Sequence, residues 1–208
     1  MRVILVVLCL LWAQSALAQT VQYCSPAQGA IVRAALDQAK SLTITAAAAV
    51  DDTPEYARWF GTYSDRKAET VRATLKAVVR AIRTGGVSLQ CDSLRDQGCG
   101  EDEYAWVYAH EPYQIYLCPA FFDMPPLAAL RPGTRASDNG TREGTLIHEL
   151  SHFRSAGGTK DHCYARRDCA RMAQTDPARA IENADSYQYF TEDVIYYASQ
   201  PVTGKATP

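Results

Sequence analysis

The chain is organised around residues 144–153, which read GTLIHELSHF. On a helix, His148 and His152 lie four positions apart, so both imidazoles project from one face and can bind one metal ion. Glu149 lies one position further round, where its carboxylate can accept a proton from water at the open metal position. The other face is apolar and would be buried; it consists of Leu146, Ile147, Leu150 and Phe153. The segment predicts a zinc-binding helix, against the alternative of two histidines satisfied inside a core helix.

A catalytic zinc site needs a third protein ligand and leaves its fourth position open for water. The extended motif that supplies a third histidine would require Gly at position 155 and His at position 158, where this chain has Ser155 and Gly158. Two carboxylates remain, Asp161 and Glu182. Asp161 follows the short Gly-rich turn 156–159, which can fold the chain back under the metal. We therefore prefer Asp161 as the third ligand, with Glu182 as its rival.

The segment after the histidine pair carries a resemblance to a known family. Residues 158–164 read GTKDHCY, and together with the His-Glu-x-x-His segment they resemble the deuterolysin family of zinc endopeptidases, the aspzincins. The peptidyl-lysine metalloendopeptidases within it look most similar, and the resemblance covers most of the chain after residue 18. It implies one zinc ion and a set of site residues: His148, His152 and Asp161 as ligands, Glu149 as the catalytic base, and Tyr164 as support for the transition state.

A further carboxylate, Asp185, is predicted to share the inward side of the last helix with Ile181. A buried carboxylate needs a partner, which is either a metal ligand or the cationic side chain of a bound substrate. In peptidyl-lysine members the aspartate of an Asn-Ala-Asp segment lines the pocket for the residue after the cut bond. The resemblance thus implies that Asp185 binds Lys or Arg at P1′. Lysine-specific members have a second acid three positions later, where this chain has Gln188, which favours a basic preference over strict lysine selectivity.

The first 18 residues have the pattern of a secretory signal peptide, with Arg2, an apolar run and small residues before Gln19. We expect a zinc metalloendopeptidase domain over residues 19–208, secreted to the extracellular space or the periplasm. Later apolar runs are too short to cross a bilayer. The 21 basic and 23 acidic residues give no indication of nucleic acid or membrane as a partner. The expected partners are protein or peptide substrates, and the expected state is a monomer.

Six cysteines follow the signal peptide, an even number that predicts three disulfides in an exported protein. Thiolate zinc ligands are the competing interpretation, but the chain has no Cys-x-x-Cys pair. Six cysteines allow fifteen pairings, so sequence alone does not select one. The family resemblance implies the first two of the pairs that we expect, which are Cys24–Cys91, Cys99–Cys118 and Cys163–Cys169.

The periodicity of the chain predicts an α+β fold that is mostly helical with a small antiparallel sheet, and the cysteine count adds three disulfides. The family resemblance implies that this fold is a zincin-like metalloprotease domain. Besides the metal helix, five helices are predicted, beginning at Ser25-Pro26, Thr53-Pro54, Ser64, Tyr164 and Asp176-Pro177, the last running to about Ser199. Residues 104–109 and 113–118 are predicted as two antiparallel strands, with 87–89 as a third candidate. In zincin folds a substrate pairs with an edge strand above the metal helix, and 113–118 is our candidate for it. Residues 119–143 are predicted as a long loop.

Two other classes of protein are open on sequence grounds. A secreted binding module would hold zinc yet cleave no unfolded protein. A disulfide-stapled structural domain would hold no metal. The joint presence of both histidines, Glu149, Asp161 and Tyr164 favours the peptidase over either alternative.

Overall fold

A computed structural model of the protein describes residues 20–198 except Gly85, so the predicted signal peptide lies outside the described residues. Over this range the chain is mostly helical with one small sheet, which confirms the α+β class. The helices are α1 (Pro26–Ala48), α2 (Pro54–Phe60), α3 (Asp65–Thr84), α4 (Pro119–Asp123), α5 (Arg142–His152), α6 (Arg166–Thr175), α7 (Pro177–Ile181) and α8 (Ala184–Ala198). The strands are β1 (Thr20–Gln22), β2 (Ser88–Cys91), β3 (Ala105–Trp106) and β4 (Gln114–Leu117).

The sheet has the order β1-β2-β4-β3 and is mixed rather than antiparallel. β3 and β4 pair antiparallel as predicted, whereas β1–β2 and β2–β4 are parallel, so the expectation of an antiparallel sheet is wrong for those two pairs. For β1 and β2 the reason is connectivity. α1, α2 and α3 all lie between β1 and β2, and a crossover of this kind returns the chain in its original direction.

The edge strand also differs from the prediction. β4 is hydrogen-bonded to β2 on one side and to β3 on the other, so the segment 113–118 has no free edge for a substrate strand. The free edge at this end of the sheet belongs to β3. Alternation of residue type predicted both β3 and β4, but it does not indicate which of these two strands pairs with a third strand and which lies at the edge.

The start of α1 is determined by capping residues next to it in sequence, whereas the metal-binding helix predicted from the sequence, α5, is held by its contacts with the apolar core. The Ser25 hydroxyl accepts the Gln28 N–H (3.2 Å) while the Gln28 side chain accepts the Ser25 N–H (2.9 Å), a capping box that starts α1 with Pro26 in its first turn. One apolar cluster joins α1, α3, the sheet and α5, and a second, rich in aromatic residues, joins α2, α3, α6 and α8. The apolar face predicted for the metal helix is fully buried in the first cluster: Leu146, Ile147, Leu150 and Phe153.

The single helix predicted from Asp176 onward is interrupted, and α7 and α8 are separate helices. The break at Glu182 and Asn183 exposes backbone groups that a continuous helix would use internally. The Lys160 N–H donates to the Glu182 carbonyl (2.7 Å), and the Ala184 N–H donates to the Lys160 carbonyl (3.0 Å). The break therefore attaches the segment that follows α5 to the start of α8.

The remaining expectations are largely confirmed. All three disulfides pair as predicted. α2 begins at Pro54 as expected, and α6 begins two residues later than predicted, at Arg166. The segment 119–143 contains α4 and two short 3-10 turns rather than loop alone. No helix within residues 20–198 combines the length and apolarity that crossing a bilayer requires.

Candidate metal centre

The metal helix α5 is fixed at its start by a cap and a close helix crossing. Thr141 is the N-cap, and its hydroxyl accepts the Gly144 N–H (3.0 Å). A Cβ at Gly144 would lie 2.2 Å from Glu192 Oε1 on α8, so only glycine permits α5 to approach α8 this closely. From this anchored start the helix presents His148 and His152 on one face, with ring centroids 4.7 Å apart.

A compact turn brings the chain back after α5. The Phe153 carbonyl accepts the N–H groups of three consecutive turn residues, Ala156, Gly157 and Gly158. A Cβ at Gly157 would lie 2.6 Å from the Thr74 methyl group, so this position has no room for a side chain. The Thr159 N–H then donates to the Ser151 carbonyl (3.2 Å), which lays the returning segment along the helix and carries Asp161 to the histidines.

Three potential ligand atoms form a nearly equilateral triangle. His148 Nε2 lies 3.1 Å from Asp161 Oδ1, His152 Nε2 lies 3.2 Å from the same oxygen, and the two Nε2 atoms are 3.0 Å apart. Ligand atoms of a tetrahedral zinc ion with bonds of about 2.0–2.1 Å would be about 3.3 Å apart. The triangle is therefore close to the size that zinc requires. Within residues 20–198, His148, His152 and Asp161 form a group that could hold a metal ion, because their ligand atoms lie within 4.8 Å of one another.

Hydrogen bonds on the far side of each ring fix the protonation of the two histidines. His152 Nδ1 faces the Thr159 carbonyl (2.9 Å), which can only accept, so Nδ1 carries the proton. His148 Nδ1 faces the Asp185 carboxylate (2.6 Å) in the same way. In the neutral form of each ring, Nε2 then directs a lone pair toward the Asp161 oxygen, which is itself an acceptor. In that neutral form the three acceptor atoms have no hydrogen between them and suit a cation at their centre.

Asp161 and Glu182 are clearly separated by the fold. Partial burial alone would raise the pKa of Asp161, but the two imidazoles of His148 and His152 lower it, so the carboxylate is ionised. Glu182 lies apart from that pair, with its carboxylate 3.5 Å from Lys160 Nζ and 3.9 Å from His162 Nε2. Glu182 thus does not join the candidate ligands. The turn after α5 folds the chain back, as the sequence predicted, and brings Asp161 to the two histidines.

Glu149 and Tyr164 line the same cavity, which has a volume of about 460 Å³. Glu149 is 4% exposed, and its carboxylate makes no hydrogen bond to any residue that the structure describes. Burial raises the pKa of Glu149 above its ordinary value, with the histidine charges opposing the shift. Tyr164 is 66% exposed, and its pKa is raised by partial burial and by the negative charge of Asp161.

Asp185 is 5% exposed and lies on the opposite side of His148 from Asp161. Its hydrogen bond to His148 Nδ1 is the first of the two partners that the sequence left open. Asp185 also lines the cavity, together with Gln188. The structure thus places the carboxylate in contact with a candidate ligand and at the cavity surface at once.

Two residues of the site were not found from sequence. Thr159 orients His152 through its carbonyl, and its hydroxyl contacts the Ser151 hydroxyl at 2.6 Å. The Asn183 side-chain oxygen accepts the N–H groups of His162 (2.8 Å) and Cys163 (3.1 Å) next to Asp161. The only signal was the position of Asn183 just before Asp185, which did not reveal that its partners lie about twenty residues earlier.

Comparisons with known proteins agree with this geometry. A family model described as lysine-specific metallo-endopeptidase, of the aspzincins, matches residues 45–192. An extracellular protease of Aeromonas hydrophila is 31% identical over 174 residues, which are 82% of this chain and 46% of that protein. A peptidyl-Lys metalloendopeptidase of Pleurotus ostreatus is 31% identical over 174 residues, covering 82% of this chain and 94% of that protein.

A solved structure, a zinc peptidase from Grifola frondosa, superposes with a TM-score of 0.69 at 29% identity. It covers 82% of this chain and 97% of the solved chain. The chain thus spans 46% of the Aeromonas relative and 36% of the peptidyl-Lys metalloendopeptidases of Armillaria mellea and Grifola frondosa. It spans nearly all of the Pleurotus protein and of the solved Grifola chain. The extent of the family match, together with the relatives at 31% identity, establishes that this chain belongs to the aspzincin family of lysine-specific metallo-endopeptidases.

Proposed function

We propose that this protein is a secreted zinc endopeptidase that cleaves protein substrates on the amino side of basic residues. The observation that carries the proposal is the convergence of His148, His152 and Asp161 beside the buried carboxylate of Glu149 in one cavity. Two imidazole nitrogens and one carboxylate oxygen form a zinc ligand set that leaves a position for water. Zinc bound by these three side chains would polarise a substrate carbonyl and lower the pKa of a bound water to about 7.

Glu149 is the proton carrier in this proposal. Its carboxylate faces the cavity without a hydrogen-bond partner among the described residues, so it is free to accept the proton of the attacking water. Burial raises the pKa of Glu149 above its ordinary value, which makes the carboxylate a stronger base. The same carboxyl group then delivers the proton to the leaving amine of the cut peptide bond.

Tyr164 is the second catalytic group. Its raised pKa keeps the hydroxyl protonated, so the hydroxyl can donate a hydrogen bond. A donor at the cavity surface can stabilise the negative charge that develops on the carbonyl oxygen as water attacks. The side chain is largely exposed, and its exact placement therefore matters for this role.

The substrate backbone would lie along the free edge of β3. Ala105 of β3 lines the cavity, so an extended peptide paired with this edge passes directly over the metal residues. The cavity is acidic: Asp102, Glu103 and Asp185 line it, and it contains no Lys or Arg among its lining residues. This charge favours Lys or Arg at P1′, with Asp185 contributing its charge while it orients His148. Two relatives named peptidyl-Lys metalloendopeptidases support the same preference.

The function is tested by sequencing new N-termini after the zinc-loaded protein has been incubated with a denatured protein mixture. We expect most new N-termini to begin with Lys and a smaller share with Arg, and we expect none when a chelator is present. The absence of new N-termini in a zinc-loaded sample would favour the binding module over the peptidase. Cleavage spread over apolar residues would contradict the basic preference and leave the peptidase assignment intact.

Asp185→Asn is expected to lower zinc affinity by about 10-fold to 100-fold, because the amide no longer holds His148 in the required tautomer with a charged acceptor. Competition against a chromogenic chelator measures the effect. Asp168→Asn is the matched control, since Asp168 lies on the surface of α6 and pairs only with neighbouring arginines in the ion pairs of that helix. Equal zinc affinity in the two variants would show that the contact with His148 is dispensable.

A further inference from the structure

A buried tyrosine that itself lines the cavity, Tyr189, connects two segments of the cavity wall. Tyr189 of α8 is 1% exposed, and its hydroxyl lies 2.5 Å from the Tyr164 carbonyl oxygen and 3.0 Å from that of Asp138, so the two acceptors share its single proton. Burial raises the pKa of Tyr189 far above its usual range, so the hydroxyl remains a donor. Asn139, next to Asp138, lines the cavity as Tyr164 does. One hydroxyl thus joins two wall segments that are distant in sequence, one at Asp138 and one at Tyr164.

Arg166 reinforces the same junction. Its guanidinium stacks on the Tyr189 ring at 4.5 Å, and its Nε donates to the Ser137 carbonyl (3.1 Å). The other nitrogens bind Asp193 Oδ1 (2.6 Å) and the Glu192 carboxylate, both buried on α8. The guanidinium therefore ties the loop that contains Ser137 to α8, from a position two residues after Tyr164.

The network also reaches the metal helix. The second oxygen of Glu192 accepts the Thr141 hydroxyl (2.7 Å), and that hydroxyl accepts the Gly144 N–H at the start of α5. The N-terminus of α5 and the two wall segments therefore share one set of buried polar contacts. Movement of one of them would strain the others, because unpaired polar groups in this interior are costly.

The exposure of Tyr164 explains why such a device is needed. With 66% of its surface open, packing does little to hold its side chain, so its position depends on the backbone to which it is attached. Asn183 binds the N–H of Cys163 on one side, and Tyr189 binds the carbonyl of Tyr164 itself. These contacts fix the backbone at the residue whose hydroxyl must meet the reacting carbonyl.

We propose that Tyr189, supported by Arg166, is a positioning residue of this peptidase. Its hydroxyl connects the 137–140 loop to the backbone of Tyr164 and so sets the position of the Tyr164 side chain over the site. The inference depends on the proposed peptidase function for its kinetic consequence. Its structural consequence, the joining of the two segments, can be measured without any activity.

The test compares Tyr189→Phe with Tyr187→Phe. Tyr187 is also 1% exposed on α8, and its hydroxyl donates to the Ile181 carbonyl (2.8 Å), away from the cavity lining. Each variant loses one buried hydroxyl, so similar decreases in Tm are expected. Only Tyr189→Phe should lower kcat/KM, by about tenfold and mainly through kcat, as expected for one lost positioning hydrogen bond. Only Tyr189→Phe should also accelerate hydrogen exchange of the amides in 138–141 and 163–166.

A double-mutant cycle with Tyr164→Phe separates positioning from general damage. Because Tyr189 acts through Tyr164, its replacement should cost less than about twofold once the Tyr164 hydroxyl is absent. An unchanged tenfold cost in that background, or equal kcat/KM for the Tyr189 and Tyr187 variants, would overturn the inference. If the wild-type protein cleaves nothing, the proposed function fails, and hydrogen exchange alone tests the connection made by Tyr189. Faster amide exchange in Tyr189→Phe would then support that connection, and unchanged exchange would reject it.

Discussion

Glu149→Gln is expected to lower kcat/KM for a peptide substrate by about 100-fold to 10,000-fold while zinc remains bound. The amide has the same shape as the carboxyl group but cannot accept a proton from water. Glu149 touches none of the candidate ligand atoms through a hydrogen bond, so the metal residues should keep their arrangement. Steady-state kinetics and zinc content, measured on the same preparation, separate loss of chemistry from loss of metal.

Glu143→Gln is the matched control, because Glu143 is a second buried glutamate on α5 whose carboxylate accepts the Leu127 N–H (2.9 Å) outside the cavity. Its replacement should change Tm slightly and leave kcat near the wild-type value. A Glu149→Gln protein that retains more than about a tenth of wild-type kcat/KM would rule out Glu149 as the general base.

Asp161→Ala is expected to lower zinc affinity by at least about 100-fold, with loss of peptidase activity at ordinary zinc concentrations. The variant keeps two imidazoles but removes the third ligand and its negative charge, which the structure places within 3.2 Å of both rings. Outer contacts of metal ligands are worth about 10-fold to 100-fold in affinity, so a direct ligand should be worth more. Zinc content after dialysis and titration against a chelator provide the measurement.

Glu182→Gln serves as the control for Asp161→Ala, since Glu182 was the rival third ligand and contacts Lys160 and His162 instead. We expect this variant to bind zinc as the wild type does. If Glu182→Gln loses zinc and Asp161→Ala retains it, the assignment of the third ligand must be reversed. Supplementing Asp161→Ala with excess zinc should recover part of the activity only if the loss is one of affinity.

The sequence anticipated those parts of the protein that depend on neighbouring residues. The spacing of His148 and His152 and the apolar residues around them predicted the metal helix and its buried face, because a helical repeat places residues by local geometry. The start of α1 was predicted by Ser25 and Pro26, whose capping contacts reach only three positions along the chain. The Gly-rich turn after α5 likewise favoured Asp161 over Glu182.

Expectations failed where partners are distant in sequence. The alternation in 104–109 and 113–118 predicted a strand pair, but β4 also has a parallel neighbour, β2, which lies more than twenty residues earlier in the chain and joins the same apolar cluster. The helix pattern after Asp176 continued through Asn183, yet the buried side chain of Asn183 binds the segment after Asp161 and interrupts the helix. Local periodicity does not report contacts between residues that are far apart in sequence, such as these.

Local sequence was thus sufficient for the metal helix, its two histidines, the turn that returns Asp161 and the class of fold. Long-range packing was needed to select β3 as the free edge, to split the last helix at Asn183, and to bring Asp185 against His148 and Tyr189 against the Tyr164 carbonyl. The physical reason is that short-range geometry is set by backbone dihedrals and spacing. The orientation of a ligand and the wall of a cavity are instead set by hydrogen bonds between segments that only the folded core brings together.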